Sequence, residues 1–149
     1  MIMFPPWRFK LKEAQVALEQ GRLAPGSIIA RPIPGAPLAE HWMLLEGFNA
    51  LKGLDVIHFW DAMKKGSNAK VRRDNLADVL FNQHLRLVAS PVSSEHGEAM
   101  VIAALQFWKR VDNGFNGRYR LFEKNCQDFC VRCFDFGLIR LKMMERQHA

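Results

Sequence analysis

The chain has 149 residues, of which 49% are apolar and 24% charged. That length suits one domain, and that balance excludes a disordered chain and supplies enough apolar material for a core. Lys and Arg number 21 against 15 Asp and Glu, a formal charge of +6, with a pI near 9.6. Such a surface favours anionic partners (nucleic acid, anionic lipid or acidic substrates) without choosing among them. No apolar run reaches the roughly 18 residues of a membrane-spanning helix. The opening Met1-Ile2-Met3-Phe4-Pro5-Pro6-Trp7-Arg8 lacks the basic start, apolar run and small-residue cleavage site of a secretory signal. The expected location is therefore the cytoplasm, or outside the cell by a route that needs no classical signal peptide.

Residues 10–20 place Leu11, Ala14 and Leu18 at helical spacing, and Gly21 reads as a stop. After the Pro25-Gly26 turn, Ser27 to Arg31 reads as a strand, and Pro32, Pro34, Gly35 and Pro37 make 32–38 a loop. His41 to Glu46 and Asp55 to Trp60 read as an antiparallel pair joined through Gly47 to Gly53. A polar stretch at 64–68 precedes further strands at 69–73 and 84–88. Val101, Leu105 and Trp108 mark a helix over 95–111, broken by Asp112-Asn113-Gly114 and Asn116-Gly117. Residues 118–122 are short and extended in character. A last helix starts at Asn125 and runs to Phe136, with Gly137 as its C-cap. The order predicts an α+β domain in which an antiparallel sheet packs against helices. One domain spans 1–149, with its core at 25–137 and a helical N-terminal extension at 1–24.

Chemistry concentrates where the last helix begins. Asn125 is a good N-cap and Asp128, three residues on, approximates a capping box. Cys126 then lies in the first turn, where unpaired N–H groups and the helix dipole stabilise a thiolate and are expected to lower the thiol pKa. A nucleophilic cysteine needs a base, usually His, held by a third polar group. Of the five His, His148 is terminal, His96 opens a helix and His84 lies in or beside an edge strand. His41 and His58 sit in two adjacent strands among large apolar residues, where each also fits a core histidine.

His41-Trp42 followed by an apolar strand and Val56-Ile57-His58 resembles the paired-histidine segment of the lecithin–retinol acyltransferase-like family. Arg118-Tyr119-Arg120-Leu121-Phe122-Glu123-Lys124-Asn125-Cys126-Gln127-Asp128-Phe129 resembles that family's Asn-Cys-Glu-His-Phe block, and Pro25-Gly26-Ser27-Ile28-Ile29 resembles its opening Pro-Gly-Asp-Leu-Ile strand. The blocks stand in the family's order across 25–137. The resemblance implies a circularly permuted papain-like NlpC/P60 fold. It implies Cys126 as nucleophile, His41 as base, and His58 orienting His41 and stabilising its imidazolium. The reaction implied is acyl transfer from a lipid ester or an amide through a thioester, to water or to an acceptor, with the Cys126 N–H among the oxyanion donors. No cofactor or metal enters that chemistry. Two departures stand out: Asp128 replaces the His two residues after the cysteine, and the loop at 47–54 is longer than in vertebrate members. No counterpart of the C-terminal anchor of several vertebrate members is expected from this sequence.

Cys126, Cys130 and Cys133 match the cluster-ligand spacing of radical SAM enzymes, but those carry it on a loop near the start of a barrel, and only 16 residues follow Cys133. On a helix the three thiols share one face, so Cys130 and Cys133 read as buried core residues. A zinc site finds no paired Cys/His spacing elsewhere. Lys64, Lys65, Lys70, Arg72, Arg73, Arg140, Lys142 and Arg146 form the basic clusters. With no nucleic-acid motif beside them, nucleic acid is not expected as a partner. The alternative to an enzyme is a non-enzymatic module that keeps the fold and binds a protein partner or an anionic membrane through its basic face.

Overall fold

The structure, a computed structural model, describes residues 8–62, 68–118 and 125–147. Helix α1 (Leu11–Glu19) leads into β1 (Ile28–Ile33), β2 (Ala36–Phe48), β3 (Leu54–Trp60) and β4 (Lys70–Asn75). The short α2 (Leu76–Val79), β5 (Arg86–Ala89), α3 (Ser94–Lys109) and α4 (Cys126–Gln147) follow. The five strands form one open antiparallel sheet in the order β4-β3-β2-β1-β5. The fold is thus mixed α+β, as the order of elements in the sequence predicts.

The central strands are apolar at successive positions because both faces of the sheet are covered. Ile29, Met43, Leu45 and Val56 pack with Ala14 and Ala17 of α1 and with Leu76 and Val79 of α2. Their sequence neighbours Ile28, Leu44 and Ile57 point the other way, onto Met100 and Ala104 of α3 and Phe129, Cys130 and Cys133 of α4. Cys130 and Cys133 are free thiols within that apolar layer, as their helical spacing predicts.

Among the boundaries that differ from the sequence reading, two change how the chain packs. Residues 32–38 are not a loop. Pro32 and Ile33 continue β1, Pro34-Gly35 makes the turn (Gly35 φ 80°), and β2 is already extended at Ala36. Pro32 is tolerated because the ladder is irregular there, with a register shift between Pro32 and Ile33. Gly137 is not a C-cap either, since α4 continues to Gln147. Its role is close packing: a Cβ at Gly137 would stand 2.8 Å from Met100 Cγ and 3.0 Å from His96 Cδ2. The stretch predicted as extended at 118–122 lies, apart from Arg118, outside the described residues, as do four of the five polar residues at 64–68.

Candidate active site

The ladder between β2 and β3 runs from Phe48/Leu54 to Leu44/Ile57, although both strands continue past that pair. Into this parting comes the first turn of α4. Asn125 starts it as the sequence predicts, its Oδ1 accepting from the Asp128 N–H at 2.9 Å. The Trp42 N–H of β2 donates to Cys126 Sγ at 3.4 Å, and the thiol donates toward the Glu40 carbonyl at 3.9 Å. The cysteine is thereby fixed by the backbone on both sides of His41.

His41 Nε2 lies 2.7 Å from His58 Nδ1. His58 Nε2 lies 2.8 Å from Asp74 Oδ2, and Arg72 Nε is 3.3 Å from the same oxygen. Asp74 was not singled out in the sequence. It sits in β4 one pleat from the residue opposite His58: His58 pairs with Arg72 and Val56 with Asp74, which puts the carboxylate diagonal to the imidazole on one face. The His58 hydrogen bond holds the Asp74 carboxyl below its usual range, assisted by the charges of His58 and Arg72. An ionised carboxylate only accepts, so His58 Nε2 carries a hydrogen. His58 Nδ1 then accepts from His41 Nε2, and the remaining lone pair is on His41 Nδ1.

Burial controls the acidities. His58 is fully buried and His41 is 4% exposed. Desolvation depresses His41 well below the ordinary histidine value, with the charges of His58 and Arg31 adding to it. It also lowers His58, against the opposing pull of Asp74. Cys126 is 3% exposed. Burial pushes its thiol up, and the N–H groups of Trp42, Gln127 and Cys126 itself, with the Arg31 charge, only partly offset this. The expectation of a lowered thiol pKa is therefore corrected. The helix-terminal stabilisation is present, but desolvation outweighs it. Both shifts favour the uncharged forms, the thiol of Cys126 and the neutral imidazole of His41.

A second residue missed in the sequence is Arg31, which pairs across the β1–β2 ladder with His41 and is 2% exposed. Its Nε donates to the Val79 carbonyl at 2.7 Å and an Nη to the Pro32 carbonyl at 3.1 Å. Phe81 lies under its guanidinium at 5.1 Å and packs against Trp60, whose ring stacks on His58 at 5.4 Å. These rings and cations wall the imidazole pair. The one signal for Arg31 in the sequence was its position inside an apolar strand.

The other histidine at a helix start stands apart. Buried His96 accepts the Val92 N–H at Nδ1, which ties it to the segment before α3, and donates from Nε2 to the Phe134 carbonyl, which joins α3 to α4. Among the described residues, no group of three or more His, Cys, Asp and Glu side chains is arranged to hold a metal ion.

A sequence profile described as lecithin retinol acyltransferase matches residues 29–137, nearly all of the sheet, α3 and the first half of α4. The chain belongs to the lecithin retinol acyltransferase family. No curated protein and no solved structure matches it. Acyltransferase or thiol-hydrolase activity on acyl or lipid substrates is the class of chemistry that goes with this family. No helix among the described residues is long and apolar enough to cross a membrane.

Proposed function

We propose that the protein is a cysteine acyl hydrolase or acyltransferase working through a thioester on Cys126, with a lipid ester or an amide as acyl donor. The observation that carries this reading is the hydrogen-bonded line His41–His58–Asp74 beside a cysteine held by the backbone flanking His41. His41 is the base. With its Nε2 hydrogen committed to His58, it takes the thiol proton at Nδ1 as sulfur attacks the acyl carbonyl carbon. Because both shifts favour the uncharged forms, this is a transfer coupled to attack, not the use of a standing thiolate.

His58 and Asp74 are positioning residues. They keep His41 in one tautomer and stabilise the imidazolium that forms, as the third member does in other nucleophile–base–carboxylate sites. The negative charge on the former carbonyl oxygen falls to the Cys126 N–H in the first turn of α4, where helix N–H groups lack carbonyl partners. The imidazolium then protonates the leaving alcohol or amine, which departs and leaves the thioester. Water or an acceptor, deprotonated by His41, completes the cycle. Histidine-bearing strands ahead of a cysteine-bearing helix are the order a circularly permuted papain-like NlpC/P60 domain requires, and we read residues 1–149 as one such domain.

The test is intact mass after incubation with phospholipids, thioesters, activated esters and peptide amides. An acyl adduct or turnover is expected in the wild type and absent in Cys126→Ala. Equal acylation of both proteins would overturn the assignment, and the responsive donor names the substrate class.

A further inference from the structure

Helices α3 and α4 pack on the sheet through one face and leave an apolar strip on the other. A groove of about 380 Å³ runs between them, lined by Ile102, Ala103 and Phe107 of α3 and by Phe136 of α4, with Arg110 and Arg140 in the same lining. Phe136 and Arg140 also line a second groove that continues along α4 past Ile139, Met143 and Met144. Ile102, Phe136, Ile139, Met143 and Met144 are all exposed, at 37%, 45%, 52%, 56% and 44%. Phe136, Ile139 and Met143 recur at helical spacing, while the buried stripe of the same helix is Phe129, Cys130, Cys133 and Gly137.

The charged side chains within the two linings have one sign. The acidic side chains of the two helices, Glu95, Glu98, Asp128, Asp135 and Glu145, lie outside both linings, whereas Arg110 and Arg140 lie within them. Outside the linings, the exposed part of α4 carries Lys142 and Arg146 together with Asp135 and Glu145. A contiguous apolar surface of this kind seldom faces water without a partner.

We infer that the α3–α4 face docks on an anionic membrane surface. Apolar side chains on an exposed amphipathic helix enter the boundary between headgroups and acyl chains, and the two arginines meet lipid phosphates and carboxylates. A second copy of the chain is the poorer occupant, because a two-fold contact would set Arg110 and Arg140 against their own copies. The inference rests on these residues alone and stands apart from the reading of Cys126.

The experiment is co-sedimentation of the full chain with phosphatidylcholine vesicles and with vesicles that also contain phosphatidylserine. Binding is expected only to the second kind and is expected to weaken as salt is added. Arg110→Gln with Arg140→Gln should weaken it by about thirtyfold, two cations' share of the attraction. Ile139→Ser with Met143→Ser should abolish it. All four positions are exposed, so folding is expected to survive, which circular dichroism checks. The rate of Cys126 acylation by a water-soluble activated ester should be unchanged in both variants, which separates failure of this inference from failure of the acyl-transfer reading. Absence of binding to the anionic vesicles, or binding that both variants retain, overturns the inference. So does a dimer in sedimentation equilibrium that Ile139→Ser with Met143→Ser dissolves while vesicles are ignored.

Discussion

Asp74 reaches His41 through one intervening ring: its Oδ2 lies 2.8 Å from His58 Nε2, and His58 Nδ1 lies 2.7 Å from His41 Nε2. A carboxylate at the end of that line has one electrostatic consequence. It fixes which nitrogen of each imidazole bears a hydrogen, and so which nitrogen of His41 is basic.

Replacing Asp74 by Asn tests this. The amide can donate as well as accept, so His58 is no longer held in one tautomer and the imidazolium of His41 loses its distant anion. The acylation rate should fall roughly tenfold to a hundredfold, short of the loss expected on removing the base itself. The pH–rate profile should move with it, because the carboxylate opposes the depression of His58. An unchanged profile with normal rate would remove Asp74 from the site.

Arg31 is predicted to matter in two ways. Arg31→Met strips the donors from the Val79 and Pro32 carbonyls, which should destabilise the fold by about 1–3 kcal/mol in urea unfolding. It also removes the cation that helps hold the Cys126 thiol down. The pH dependence of Cys126 alkylation should then shift to higher pH. A stability loss without that shift would make Arg31 purely structural.

Stability should peak in a plateau between the ordinary histidine and thiol values. Burial lowers His41 and His58 from 6.5, so below that pH the unfolded chain binds protons the folded chain refuses, and stability falls as pH drops. Burial raises Cys126, Cys130 and Cys133 from 9.0, so above that pH the unfolded chain releases protons the folded chain keeps, and stability falls as pH rises. Urea midpoints across this range check both limbs, and a midpoint that keeps climbing above pH 9.0 would contradict the buried thiols.

Gly137→Ala should destabilise by about 1–3 kcal/mol, the usual cost of overpacking a close contact. Met100 can swing aside, but His96 is held at both ring nitrogens and cannot. Cys126 sits three turns away along α4, so acylation at a temperature well below unfolding should continue. If Gly137→Ala unfolds at the wild-type midpoint, the helices have room to separate there.

The sequence by itself determined the α+β order of elements, the Asn125 cap with Cys126 in the first turn behind it, and the two histidine strands. These are local matters: apolar runs mark buried strands, helical spacing marks α3, and a capping residue marks a helix start. It did not disclose Asp74 or Arg31. In Lys70-Val71-Arg72-Arg73-Asp74-Asn75 the carboxylate looks like one more solvated charge, and only the register of β4 against β3 sets it diagonal to His58. Arg31, next to Pro32, looks like a surface cation until β1 is placed beside β2 and its guanidinium is closed in by Phe81 and the Val79 carbonyl. Gly137 carries the same ambiguity, since a glycine ends a helix or admits a neighbour according to what packs against it. The tertiary structure likewise decided the state of Cys126. The pull of a helix start on a thiol is a property of neighbouring residues, but desolvation sums every atom that excludes water, and that sum exists only in the folded chain.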